Sequence, residues 1–159
     1  MIDSTIVRAH QHSAGAEKKA GPQKIGLSVG GKSTKIHAKV DALGLPLKLI
    51  LSEGQKHDAP YAKALIDEPC DKLLADKGYD SDDIREHLAK NEIEAVIPSK
   101  SNRTKPVEHD KHTYKERNAV ERFFAKIKHF RRVATRYEKL SVTYGAMVAL
   151  AAAIAWMRV

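Results

Sequence analysis

Apolar and polar positions alternate with period two in several short stretches of the first hundred residues, and with a helical period near 3.6 after residue 114. MIDSTIV is β-branched and reads as a first strand. In TKIHAKV the residues Ile36, Ala38 and Val40 share one face, the segment from Ala42 makes a turn, and LKLILS from Leu47 forms a third strand after the second. Asp58 is placed to N-cap a helix over APYAKALID. KLLAD predicts a fourth strand, Ser81 opens a helix over SDDIREHLAK with acids in its first turn, and EAVIPSK predicts a fifth strand ended by Pro98. Two further helices follow a polar loop, so the order of elements is α/β.

The richest pattern lies between Tyr114 and Lys128, YKERNAVERFFAKIK. Tyr114, Arg117, Glu121 and Lys128 stand at i, i+3, i+7 and i+14, which at roughly 100° per residue confines them to an arc of roughly 60° on one helix face. Asn118 lies nearly in line, and Arg132 and Arg136 continue the stripe. Ala119, Val120, Phe123, Ile127, Phe130 and Ala134 supply the opposite, apolar face. One reading is a solvated face in which Arg117 and Glu121, four apart, simply pair. The other is a working face: a carboxylate among fixed cations, suited to a metal ion and a phosphate polyanion.

A single carboxylate does not hold catalytic magnesium, and two more are available upstream. Asp76 ends KLLAD and precedes the KGYD turn, where a buried strand presents its last group. Asp3 sits between apolar neighbours in the first strand and is either an edge residue or a ligand.

Charge narrows the partner. The 159 residues carry a formal net charge of +8 and are 42% hydrophobic, enough chain for one real core and a basic balance that favours a polyanion. The longest apolar run, Gly145 to Met157, is 13 residues, short of the roughly 20 needed to span a bilayer, and reads as a buried C-terminal helix. No charged-then-apolar leader opens the chain, so export is not expected. Cys70 is alone and has no partner for an internal disulfide. The stretch RAHQHSAGAEKKAGPQKIGLSVGGKS predicts a mobile connection or a surface that orders on nucleic acid. Within it GLSVGGKS satisfies the phosphate-loop pattern, but a period-two stretch follows it where a phosphate loop opens a helix. His10 and His12 could bind zinc, yet no further ligands stand at suitable spacing.

The three acids and the helix stripe together resemble the catalytic domain of bacterial insertion-sequence transposases of the DDE type, in the insertion sequence 5 group. Asp3 on a first strand, Asp76 in a D-x-G-Y context with Gly78 and Tyr79, and Tyr114, Arg117, Glu121 and Lys128 in Y-x2-R-x3-E-x6-K carry that resemblance, which extends over essentially all of the chain. Val29 departs from it, where relatives often carry a basic residue before the Gly pair. Only Met1 and Ile2 precede Asp3, where family members have a DNA-binding region, so a single catalytic domain over 1–159 with an incomplete, frayed first strand is expected.

The resemblance implies a ribonuclease H-like fold, a mixed five-stranded sheet flanked by helices in which the first and fourth strands lie side by side. It implies that Asp3, Asp76 and Glu121 hold two Mg2+ ions, or Mn2+ in their place, and that Arg117 and Lys128 contact phosphates while Tyr114 stacks on a displaced nucleotide; Arg132 and Arg136 would extend the DNA contact. The implied reaction is hydrolysis at a transposon end followed by strand transfer to target DNA, in a cytoplasmic, nucleoid-associated homo-oligomer, with an upstream-frame product as a further partner. With 44 residues between Asp76 and Glu121, the β-rich insertion of some relatives does not fit. The alternatives are a nuclease of the same fold and an inactive fragment that only binds DNA or regulates.

Overall fold

The structure, a computed structural model, describes residues 1–15, 21–67 and 70–157; the middle of the polar connection, 16–20, lies outside them. Strands β1 (Ile2–Ala9), β2 (Gly26–Ser28), β3 (Gly31–Val40) and β4 (Pro46–Glu53) are followed by α1 (Ala59–Leu65), β5 (Lys72–Leu74), α2 (Asp82–Lys90) and β6 (Glu94–Val96). Then come α3 (Lys111–Tyr114), a 3-10 turn over Lys115–Arg117, α4 (Asn118–Lys128), α5 (Arg131–Ala134), β7 (Thr135–Arg136) and α6 (Ser141–Trp156).

β3 is the centre of a mixed sheet. β1 pairs antiparallel along one side, with Asp3 opposite Ala38, while β4 and the short β2 pair antiparallel along the other. β7 adds two parallel residues to the far end of β1, and β5 and β6 pair parallel as a separate ribbon. The fold is the mixed α/β, ribonuclease H-like class that the element order predicts, with a difference in the ladders. β1 and β5 share no ladder among the described residues; they meet through side chains, because Ile2 of β1 belongs to the same apolar cluster as Leu73 and Ala75.

The phosphate-loop pattern is a hairpin. Val29 and Gly30 turn β2 into β3, and Gly31 takes φ +93, a left-handed value that an L side chain resists. GGKS therefore starts a strand, with no helix for its amides to open.

Two cores result. Val7, Ile36, Ala38, Val40, Val120, Phe123, Ile127, Tyr144 and Val148 join the sheet to α4 and α6. Ile2, Leu65, Leu73, Tyr79, Ile84, Leu88 and Ile97 join β5 and β6 to α1 and α2. The C-terminal helix is buried on one side only: Tyr144, Val148, Ala151 and Ala152 face the sheet, whereas Val142, Leu150 and Met157 are exposed. Among the described residues no helix is long and apolar enough to cross a membrane.

The first strand is paired at its start. β3 runs past the start of β1, so Val40 closes the ladder on Met1 from both directions: the terminal amine donates to Val40 O at 2.7 Å and Val40 N donates to Met1 O at 2.8 Å. Asp3 is thus held by a ladder on one side, with Arg117, the residue that precedes α4, across from it.

Candidate active site

Asp3 is where the long-range geometry converges. Its Oδ1 accepts the Ser4 N–H at 2.8 Å and its Oδ2 accepts Arg117 Nη1 at 2.8 Å, across 114 positions of sequence. Arg117 Nη2 donates to Glu121, one turn further along α4. One guanidinium therefore ties the strand acid to the helix acid, a fork geometry that a lysine could not supply. Burial raises the Asp3 carboxyl above its ordinary range and the nearby Asp76 charge adds to that, while the Ser4 amide and Arg117 oppose the rise. Burial works against the Arg117 charge too, but Asp3, Tyr114 and Glu121 outweigh it.

Asp76 leaves β5 and caps the turn over Lys77–Tyr79. Its Oδ1 accepts the Gly78 N–H at 2.8 Å, and a Cβ at position 78 would stand 2.8 Å from that same oxygen. The glycine of D-x-G-Y is thereby explained: it lets the backbone close on the carboxylate. The next residue, Tyr79, is fully buried with a hydroxyl that has no hydrogen-bond partner among the described residues. Burial, then the charges of Asp58, Asp3 and Asp76, push its phenol up, which places it in the field of the acids.

On the helix face, Arg117 lies 5.8 Å from the centre of the Tyr114 ring, and His109 meets that ring edge-on at 5.4 Å. Lys128 reaches back to β1, donating to Thr5 Oγ1 and, at 3.4 Å, to Ile6 O; burial lowers its pKa. Beyond Lys128 the stripe breaks. The backbone turns extended at Phe130, and Arg132 on α5 pairs with Glu138 at 2.8 Å. Arg136 is a correction to the expected DNA contact: it is wholly buried, donates to Gln23 O, Thr34 Oγ1, Glu138 O and Lys139 O, and lies 5.2 Å over Tyr144. Four of its five N–H groups donate inside the fold, and the buried side chain presents no face to a phosphate.

Sequence reasoning missed the polar network behind Asp3. Ser4 Oγ donates to Asp58 Oδ1 at 2.8 Å, and buried Lys35 donates to the same oxygen at 2.9 Å and to Lys56 O at 2.7 Å. Asp58 spends its carboxylate there and makes no side-chain cap to α1, although it occupies the N-cap position. His37 lies 3.7 Å from Asp58 Oδ1, bonds Ser52 Oγ at 2.8 Å and stacks on Tyr61 at 4.3 Å. The available signal was the polar set Lys35, His37 and Lys39, which alternates with Ile36 and Ala38; period two cannot tell that α1 covers that face as well.

The donor set suits a hard divalent cation. Asp3, Asp76 and Glu121 offer carboxylate oxygens, and the raised Asp3 carboxyl beside a like charge is what a cation would relieve. In the arrangement described, Arg117 fills part of that role. Among the described residues no three His, Cys, Asp or Glu side chains close into a cage.

Comparison with known proteins gives the same direction. Residues 1–156 match the family model described as "Transposase DDE domain". The chain is 38% identical over 129 residues to a Brucella ovis protein named "Putative transposase for insertion sequence element IS6501", covering 79% of this chain and 99% of that one. It is 34% identical over 130 residues to the "Putative transposase for insertion sequence element IS402" of Burkholderia cepacia, covering 74% of this chain and 59% of the relative. A Neisseria meningitidis serogroup B protein, "Transposase for insertion sequence element IS1106", is 29% identical over 114 residues, 67% of this chain and 37% of the relative. No solved structure matches. With a family match over nearly its whole length and relatives of the same kind, the chain belongs to the DDE transposases of bacterial insertion sequences, enzymes that act on DNA.

Proposed function

We propose that this chain performs metal-assisted phosphoryl transfer at transposon ends, with Asp3, Asp76 and Glu121 holding divalent ions, Mg2+ or Mn2+. The observation that carries the reading is the Arg117 bridge, which joins the acid of the first strand to the acid of α4 while Asp76 acts electrostatically on the same Asp3. Bound there, two such ions supply the charge stabilisation that an in-line displacement at phosphorus needs on its attacking and leaving oxygens. The chain's own residues do the rest. Arg117, whose guanidinium lies beside the acids, would take a phosphate oxygen, and Lys128 a neighbouring one. Tyr114 offers a ring face to a base taken out of the stack. The attacking group is water in the nicking step and the freed 3′-hydroxyl in the strand-transfer step, so no covalent enzyme intermediate is required. A homo-oligomer that brings two transposon ends together fits this chemistry.

Asp76→Asn or Glu121→Gln should abolish Mg2+-dependent cleavage of end-containing DNA and leave folding and DNA binding in place, because ligand-held metal supplies most of the charge stabilisation. Cleavage by either variant within about tenfold of the parent, about 1.4 kcal/mol of barrier, overturns the assignment. A strand-transfer assay with a pre-nicked end separates a transposase from a nuclease of the same fold.

A further inference from the structure

Beside Asp76 lies an open cavity of about 280 Å³ lined by Asp76, Lys77, Gly78, Lys100, Ser101 and Asn102. Its far wall is a segment without regular structure between β6 and α3, yet that segment is firmly held. Asp80, whose side chain is wholly buried, accepts the backbone N–H of Lys100 at 2.9 Å on Oδ2, and Arg85 at 2.8 Å and Arg103 at 3.1 Å on Oδ1. Arg85 also donates to Ile97 O at 2.9 Å, and Arg103 to Asp82. Asp76 and Asp80 belong to one turn, so both walls of the cavity are anchored to the same short piece of backbone.

A buried carboxylate satisfied by two guanidiniums and an amide costs desolvation, and what it gives in return is order in the loop it holds. The lysines on the two walls differ from others on this surface. Lys48, Lys63 and Lys72 pair with Asp67, Asp83 and Glu94, whereas no ion pair engages the ammonium of Lys77 or Lys100 among the described residues. Two unpaired cations, a hydroxyl and an amide, prefixed around an acid of the site, suit a phosphodiester: the loop need not be ordered on binding, so less entropy is lost.

We propose that Lys77 and Lys100 form a phosphate-binding subsite on the Asp76 side of the acids, held in place by Asp80, Arg85 and Arg103, which grips the DNA backbone next to the cut. The assignment of a cut to this site rests on the function proposed above. The phosphate contact itself does not, and the two are tested apart.

Affinity of the full chain for a short DNA duplex carrying a transposon end is measured in EDTA across a series of salt concentrations. Lys77→Gln and Lys100→Gln should each flatten the slope of log K against log[salt] by about 1, the value for one lost phosphate contact. Lys63→Gln, whose lysine is already paired on α1, should leave it unchanged, and circular dichroism confirms that all three fold. Single neutral methylphosphonates placed along the duplex then locate the contact. At one position flanking the cut, Lys100→Gln should bind no worse than the parent, and that position should differ from the one where Lys128→Gln loses its effect. Unchanged slopes for both lysine variants overturn the subsite, as does a Lys100 contact remote from the cut. Flattened slopes in a chain whose Asp76→Asn variant still cleaves would uphold the phosphate contact and overturn only the role of the acids.

Discussion

On the polar face of β3 a histidine is kept neutral by its surroundings. His37 is fully buried, its Nδ1 has no hydrogen-bond partner among the described residues, and burial lowers its pKa to about 4, with Asp58 opposing and Lys35 assisting the shift. In the unfolded chain the same ring titrates near about 6.5. Because the folded value lies below the unfolded one, the contribution to stability is complete above about pH 6.5 and is lost as pH falls toward about 4, at about 1.4 kcal/mol per pH unit. His37→Phe keeps a ring on Tyr61 and removes the proton. Between about pH 7.5 and about pH 5 the parent should lose about 2 kcal/mol more than the variant in urea unfolding. The same pH dependence in both would show that His37 takes up a proton inside the fold. Nothing along the chain announces this residue as special, since what sets it apart is α1 arriving from elsewhere; the turn after Asp76 was legible because turn chemistry is local, whereas Asp3 by itself read equally as an edge residue, and the Arg117 contact that distinguishes it spans 114 positions.

At the scale of the element, α4 shows how far periodicity reaches. Its buried face, Ala119, Val120, Phe123, Phe124 and Ile127, is the first part of the apolar stripe the 3.6 period selects, with Phe124 added at its margin; Phe130 and Ala134 lie beyond the helix, and Phe130 is exposed. The helix ends at Lys128 without Gly or Pro, so the sequence carried no breaker to read, and the stripe extrapolated through Arg132 to Arg136 divides into unlike residues. β2 and β7 were missed for a related reason: three and two residues are too short to show alternation. The division can be measured. Lys128 has three donors and uses two on β1, leaving one for a phosphate, and Arg132 has an exposed side chain. Lys128→Gln and Arg132→Gln should each flatten the salt dependence of DNA binding by about 1. Arg136→Met should leave the slope alone and destabilise the fold by about 3 kcal/mol or more, since it strips donors from several buried acceptors at about 1–3 kcal/mol each. A flattened slope for Arg136→Met in a chain of undiminished stability would return that residue to the DNA face.

For the molecule as a whole, the proposed active site lies on the seam between two cores. Glu121 belongs to the helix that packs with Val7 and Ile36 on the sheet, Asp76 follows the strand that packs in the second core, and Asp3 is on β1, whose Val7 enters the first core and whose Ile2 enters the second. The relative placement of the acids therefore depends on Ile2, which is wholly buried and stands next to Asp3 without touching the chemistry. Ile2→Ala should cost about 2–5 kcal/mol by leaving a cavity. It should also loosen Asp76 against Asp3, and a misplacement near 1 Å costs about a hundredfold in rate. Val148→Ala, in the first core on α6 and away from the seam, serves as the comparison: it also opens a cavity, but in a place that leaves the acids where they are. Single-turnover cleavage at a temperature where both variants are fully folded should fall far more for Ile2→Ala than for Val148→Ala, with DNA affinity in EDTA nearly equal. If the two lose rate in proportion to lost stability alone, the seam does not set the geometry, and the Arg117 bridge is sufficient to hold the acids in register.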